Sequence, residues 1–204
     1  MNNIKISIIT AAFRPELMPR VWESIKKQTH KDWEWIVVND AQQGIRDWYK
    51  EFKRDNPKVD VWLVDIERQK GRFGLFSRNV GVSVANNEHI VFLDDDNEWE
   101  ENHLESLVNL EKRTGKVPYC WMHIKGKKDG SDCDRIKRTH FGKQGIDLGC
   151  ILWTKRLFEQ YGMFRDDSQV TYDWNCIARS YYGYGPSRFE CTNEPTLVFW
   201  HKRY

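Results

Sequence analysis

Residues 77–97 read Ser77-Arg78-Asn79-Val80-Gly81-Val82-Ser83-Val84-Ala85-Asn86-Asn87-Glu88-His89-Ile90-Val91-Phe92-Leu93-Asp94-Asp95-Asp96-Asn97. A helix is expected around Phe76 to Asn86, and His89 to Leu93 is a short apolar run suited to a buried parallel strand. That strand delivers three adjacent carboxylates to one spot, where they repel one another unless a cation or exposure relieves them. A period of two continued past Leu93 places Asp94 and Asp96 on one side and Asp95 on the other. Hard oxygen donors of this kind suit Mg²⁺ or Mn²⁺ held jointly with a substrate phosphate. A solvated acidic turn, capping a helix that starts near Glu100, would leave the same trace in the sequence.

Working outward, the same alternation of strand and helix recurs. Lys5 to Thr10 is β-branched and apolar, and Pro15 to Thr29 follows with Leu17, Val21, Trp22 and Ile25 on one helical stripe. Pro19 must lie in the first turn of that helix or mark its true start. Trp33 to Asn39 reads as a second strand, and Ile45, Trp48, Tyr49 and Phe52 have the spacing of a second amphipathic helix. Asn56-Pro57 ends it, and Val59, Val61 and Leu63 alternate as a third strand. Strands separated by helices form βαβ units with right-handed crossovers, giving a parallel sheet covered on both faces. Ligands of such sheets bind beyond the carboxyl ends of the strands. The polar ends at Thr10–Arg14, Asn39-Asp40 and Asp94–Asn97 therefore mark the site.

The second half is less regular. Glu100 to Thr114 reads as a helix, Val117 to Ile124 and Leu148 to Trp153 as strands, and Lys155 to Tyr161 and Tyr172 to Tyr182 as short helices. Thr196 to Trp200 is a closing strand. Residues 125–143 are polar and turn-rich, with Asp129-Gly130 a hairpin turn. They hold seven Lys or Arg against three Asp, a solvated loop or a grip for anionic phosphates.

Composition narrows the class. With 204 residues the chain can bury a core without disulfide or metal staples. The balance of 32 basic against 30 acidic residues excludes a polycationic nucleic-acid coat and an acidic tail. No RNP, zinc-finger or helix-turn-helix signature is present, so nucleic acid is not an expected partner. The apolar run from Ile6 to Phe13 lacks a basic flank and a cleavage site, and no stretch reaches the length of a bilayer span. Five Cys, odd in number and without a C-x-x-C pair, suit a reducing and therefore cytoplasmic compartment. Ten Trp argue against disorder and leave room for a homodimer.

Three stretches in order, ISIITAAFRP, IVVNDAQQ and SRNVGVSVANNEHIVFLDDDN, resemble the patterns "SIIIPTYNR", "VVDDGS" and "ARNxGI…FLDsDD" of the family 2 glycosyltransferases of the GT-A fold. The match covers about the first hundred residues with the expected spacing, far more specific than any single motif. The fold class implied is α/β: a GT-A type, Rossmann-like, mostly parallel sheet flanked by helices, with a mixed C-terminal extension. It implies one domain over residues 1–204, with a nucleotide-sugar half at 1–98 and an acceptor half at 99–204.

The resemblance further implies a nucleoside-diphosphate sugar donor, with a UDP-sugar favoured, and a carbohydrate or other hydroxyl acceptor. Ala11, Phe13 and Arg14 would border base and ribose, Asp40 would meet the uracil edge or ribose, and Arg78 would position the donor. Asp94 or Asp95 would hold ribose or sugar, and Asp96 the Mn²⁺ or Mg²⁺, with His201 completing the metal shell. Asn39 replaces the first Asp of "VVDDGS", which removes a charge near the base. The family's downstream "ED.D" corresponds to Val170–Arg179, making Asp173 the general base of an inverting transfer. Gly149 would let a sugar approach the backbone, and Trp153 and Trp174 would offer stacking faces, although core Trp residues look identical in sequence.

Bland roles compete at each position: an Arg78–carboxylate ion pair, a turn at Asp40, a helix N-terminal carboxylate at Asp173. Two other functions fit the same scaffold. A nucleotidyltransferase normally carries a Gly-rich loop after its first strand, and Thr10–Pro15 has no Gly. A GT-A scaffold that binds nucleotide or glycan without turnover is kept open because Tyr172 and Asn175 stand where the family pattern has acids beside Asp173.

Overall fold

The computed structural model describes residues 4–67, 74–128, 131–142, 145–165 and 172–201; of Lys128, Tyr172, Asp173 and His201 it describes the backbone only. Strand β1 (Ile6–Ala12) lies at the centre. It pairs in parallel with β2 (Trp33–Asp40) on one side and with β4 (His89–Phe92) on the other. β3 (Val61–Ile66) adds in parallel outside β2, and β9 (Trp153–Thr154) closes the far edge antiparallel to β4. The chain thus steps outward from β1 to β3, then returns to the opposite side of β1. That reversal opens a crevice at the carboxyl ends of β1, β2 and β4.

The pleat sorts the helices onto two faces. Ile8, Thr10 and Trp35 share one face, where α1 (Met18–Lys26) and α2 (Gln43–Asp55) pack. The seam there is aromatic: Trp22 stacks on Trp35 at 6.0 Å and 10°. Trp33 meets Trp22 edge-on, and Trp48 and Phe52 meet Trp35 edge-on. Trp35 is fully buried and donates its Nε1–H to Thr10 Oγ1 at 3.0 Å. On the other face, α3 (Leu75–Val84) lies so close that a Cβ on Gly81 would stand 2.4 Å from Ile9 Cγ2. Pro19 occupies the first turn of α1, behind a 3₁₀ turn at Pro15–Leu17. Below the sheet the buried Glu34 carboxylate accepts from Ser7 Oγ, the Asn86 backbone and side chain, and Asn87. Its charge is thereby fully hydrogen-bonded.

A second sheet, in the order β5-β11-β7-β8, is built from β5 (Glu98–Trp99), β7 (Met122–Lys128), β8 (Ser131–Lys137) and β11 (Leu197–His201). β6 (Val117–Tyr119) pairs separately with β10 (Phe189–Cys191). Helix α4 (His103–Thr114) starts three residues later than its sequence pattern suggests. Residues 98–99 are taken by the sheet, and the buried Gln28 side chain caps the Leu104 N–H at 3.0 Å. A short α5 (Lys155–Leu157) runs on as a π-turn over Phe158–Gly162, and α6 (Tyr172–Tyr184) follows.

Two expected strands are corrected. Val117–Ile124 is two strands in different sheets, because the chain changes partners between them: Cys120 N donates to Cys150 O and Trp121 N to Glu194 O. Leu148–Trp153 opens as a 3₁₀ turn, Leu148–Cys150, because the Asp147 carboxylate accepts from Gly149 N at 2.8 Å. Only Trp153–Thr154 continues as strand. The basic segment is a hairpin, with Lys128 opposite Ser131. Its two-residue connection falls at Asp129-Gly130, which lie outside the described residues. No described helix is long and apolar enough to cross a membrane. All five Cys are free thiols.

Candidate active site

A cleft of about 680 Å³ opens at the carboxyl ends of β1, β2 and β4. Its floor is the Asp94–Asn97 turn. Leu93 N still donates to Ile9 O, but Asn97 N folds back to Asp94 O at 3.1 Å. Pairing with β1 therefore ends at Leu93, yet the expected alternation persists: Asp94 and Asp96 are partly exposed while Asp95 is buried. All three carboxylates line the cleft, Asp94 paired with Arg78 and Asp95 and Asp96 sharing Arg14. Arg78 on α3 donates Nη2 to Asp94 Oδ1 at 2.5 Å. Asp95 is buried and accepts the backbone N–H groups of Phe13 and Arg14 at 2.8 and 2.9 Å, together with Nε and Nη2 of Arg14. Asp96, one-third exposed, meets Arg14 Nη1 at 2.8 Å.

The electrostatics of the turn are uneven. Burial, then the Asp94 charge, raise the Asp96 carboxyl above the ordinary carboxylate range, while Arg14 pulls it down. Burial opposes charge on Arg14, yet its hydrogen bonds and charge pairing with Asp95 and then Asp96 raise its pKa on balance. Arg20 on α1 donates to the Asp96 carbonyl at 2.8 Å, pairs with Glu98 at 3.1 Å and lies under the Trp200 ring. It ties the turn to the last strand. The described lining residues include the acids Asp40, Asp94, Asp95, Asp96 and Asp147 and the bases Arg14 and Arg78, and the charge of Lys137 also acts on Asp147. The donors are hard carboxylate oxygens, of the chemistry that suits Mg²⁺ or Mn²⁺, but with Arg14 and Arg78 engaging the turn no group of three or more Asp, Glu, His or Cys side chains among the described residues is arranged to hold a metal ion.

Of the residues singled out from sequence, Ala11, Phe13, Arg14, Asp40, Arg78 and Asp94–Asp96 are brought together in this cleft. Phe13 is 46% exposed, an uncovered aromatic at its rim. Asn39 is buried behind them: its amide donates to Asp65 Oδ1 at 2.7 Å and its oxygen accepts from Gln42 N. An Asp there would set two carboxylates face to face, so Asn39 suits the turn after β2 rather than the cleft.

Two acceptor-side expectations are corrected. Trp153 is fully buried against Phe158 and offers no face to a ligand. The close approach at Gly149 is made by protein, since a Cβ there would lie 3.0 Å from the Phe92 carbonyl and 3.2 Å from Leu197. Trp174 is half-buried and packs against the core. Asp173 falls in the first turn of α6 and His201 ends β11, their side chains lying outside the described residues.

The structure adds lining residues that the sequence reading missed: Ser77, Asn97, Asp147 and Phe199. Asp147 had a local signal, an Asp two residues before a Gly, the mark of an Asx turn. Phe199 had none, since only the sheet brings β11 to this end.

The fold is an α/β sheet with an acidic cleft at its carboxyl edge, and comparisons with known proteins give its family. The glycosyl transferase family 2 model matches residues 7–178, and the chain belongs to that family. It is 24% identical over 208 residues to the uncharacterized glycosyltransferase YwdF of Bacillus subtilis, covering 93% of this chain and 73% of that protein. It is 30% identical over 112 residues to the UDP-Glc:alpha-D-GlcNAc-diphosphoundecaprenol beta-1,3-glucosyltransferase WfgD of Escherichia coli, covering 54% of this chain and 42% of WfgD. Among solved structures, S. aureus TarS 1-349 in complex with UDP-GlcNAc superposes with a TM-score of 0.75 at 16% identity, over 98% of this chain and 60% of that one. The mannosyltransferase PcManGT from Pyrobaculum calidifontis, in complex with GDP-Man and Mn²⁺, gives 0.71 at 16%, over 100% and 59%. The chain thus spans about three-fifths of these structures, and the likeness establishes the GT-A type of fold.

Proposed function

We propose that the chain is a metal-dependent glycosyltransferase. It transfers a sugar from a nucleoside-diphosphate sugar, with a UDP-sugar favoured, to a hydroxyl of a carbohydrate or other acceptor with inversion. The observation that carries this reading is the acidic cleft at the reversal of strand order, where carboxylates outnumber guanidinium groups five to two. An anionic diphosphate would be repelled there without a divalent cation. Asp96 would hold the cation, with His201 as a further ligand, and when bound it would offset the charge gathering on the departing diphosphate. UDP is supported by the UDP-GlcNAc complex of TarS and by the donor in WfgD's name.

The chain's own residues have divided tasks. Asp40 and the Ala11–Phe13 edge border the base and ribose. Arg78 steadies Asp94, and Asp95 fixes the Phe13–Arg14 backbone. In the transfer, an acceptor oxygen bonds to the anomeric carbon as the carbon–oxygen bond to the diphosphate breaks. The diphosphate leaves with the electron pair, and the hydroxyl proton passes to the Asp173 carboxylate. Residues 1–98 serve the donor in this reading and 99–204 the acceptor.

Calorimetric titration of UDP, GDP and UTP, with and without Mn²⁺, tests it on the wild type and on Asp96→Ala. UDP binding that requires both Mn²⁺ and Asp96 is the expected outcome. Asp173→Asn should bind UDP as the wild type does yet form no product. Absence of diphosphate binding under every condition would remove the donor site. A marked preference for UTP would point to nucleotidyl transfer instead.

A further inference from the structure

Each carboxylate of the acidic turn already has a cation from the protein, but the three pairs differ in kind. Asp94 faces Arg78, whose side chain is only 6% exposed and which also lies against the Phe164 ring. Asp95 is held by two backbone N–H groups as well as by Nε and Nη2 of Arg14, so its place does not depend on the guanidinium alone. Asp96 receives only the outer nitrogen of the same guanidinium, Nη1, and does so where both partners are about one-third exposed. Arg14 is therefore a fork with a fixed inner prong and a weak outer one. The outer prong rests on the most exposed carboxylate of the turn, 32% exposed against 22% for Asp94 and 3% for Asp95.

We propose that Arg14 is a positioning residue whose guanidinium competes with a divalent cation for the Asp96 carboxylate and so sets the cation affinity of the acidic turn. The inference rests on the donor-site reading above. A carboxylate engaged by Arg14 for part of the time binds a cation with an apparent affinity reduced by that fraction.

The test is titration of Mn²⁺ alone into the full chain, with no nucleotide, for the wild type, Arg14→Gln, Arg14→Lys and Arg20→Gln. Arg14→Gln should bind Mn²⁺ about tenfold more tightly, the scale of one charged contact removed from competition. Arg14→Lys keeps a charge that cannot span two carboxylates, and should tighten binding roughly two- to threefold. Arg20→Gln removes a cation that touches the turn only through the Asp96 carbonyl and Glu98, and should not tighten it. A merely structural Arg14 would loosen the site when lost, so equal or weaker Mn²⁺ binding in Arg14→Gln overturns the proposal. Equal tightening in Arg20→Gln would reduce the effect to bulk charge and overturn it too. If Arg14→Gln fails to fold, Arg14→Lys decides by the same criterion. UDP binding by the wild type in Mn²⁺ separates the two readings. If it persists while the Arg14 variants show no tightening, only the competition fails; if the wild type binds neither Mn²⁺ nor UDP, both fail.

Discussion

Burial and then the field of Asp94 raise the pKa of Asp96, which makes it a site where stability is given up. An unfolded Asp titrates near 3.8. Below that value neither state carries the charge and the penalty is absent. It develops as pH rises from there through the higher folded-state value, and is complete above it. Asp96→Asn should accordingly melt at or above the wild-type temperature at neutral pH, lose Mn²⁺ binding, and lose its stability advantage as pH falls below 3.8. Melting curves over a pH series check this; a neutral-pH melting point well below wild type would contradict it. At this scale the sequence was informative wherever a side chain ends a strand. Asp40 and the three turn carboxylates all reach the cleft, as Arg78 does from α3. What it did not disclose was which partner each would take. Trp153 and an acceptor-stacking Trp have the same signature, and only burial separates them.

Helix α3 shows how an element carries a site residue. Its face toward the sheet is opened by Gly81, where a Cβ would stand 2.4 Å from Ile9 Cγ2 and 3.2 Å from Val38 Cγ2. Gly81→Ala must push the helix outward, and should cost about 2 kcal/mol as an overpacked core does. Because Arg78 rides on the same helix, UDP binding should weaken along with the melting temperature. Unchanged UDP affinity would mean that α3 accommodates the methyl without moving its first turn. Elements of the first half were readable because the helices each bury one regular face and the central strands are apolar runs buried on both. The second half was not, for a local reason. Asp147 bends Leu148–Cys150 into a turn, and the apolar run 117–124 serves two sheets, a partner change that leaves no mark on hydrophobicity.

Across the whole molecule, the acidic turn is clamped between two sheets: β4 precedes it in one, β5 follows it in the other, and β5 is held by β11. Leu197, fully buried on β11 and opposite Trp99, is the keystone of that pairing. Leu197→Ala should cost about 3 kcal/mol through its cavity, and should weaken Mn²⁺ binding although it lies a hundred residues from Asp96. Phe52→Ala, in the aromatic seam beneath α2, should lower the melting temperature comparably and leave Mn²⁺ affinity unchanged. Equal effects on the cation would show that the clamp is not specific. This long-range pairing was the least legible feature of the sequence, since a two-residue strand such as Glu98–Trp99 has no period to detect.

The aromatic seam has an optical consequence. Indole transitions in Trp22, Trp33, Trp35 and Trp48, with ring centroids no more than 6.4 Å from a neighbour, are close enough to mix, and the edge-on members of the group lend the mixed bands circular dichroism. That signal depends on α1 and α2 closing on the sheet and vanishes when they part. Trp99 and Trp200 sit instead beside His103 and Arg20, next to the acidic turn. Dichroism therefore follows assembly of the scaffold, while fluorescence from the second group follows events at the cleft, and a single unlabelled sample can time the two separately.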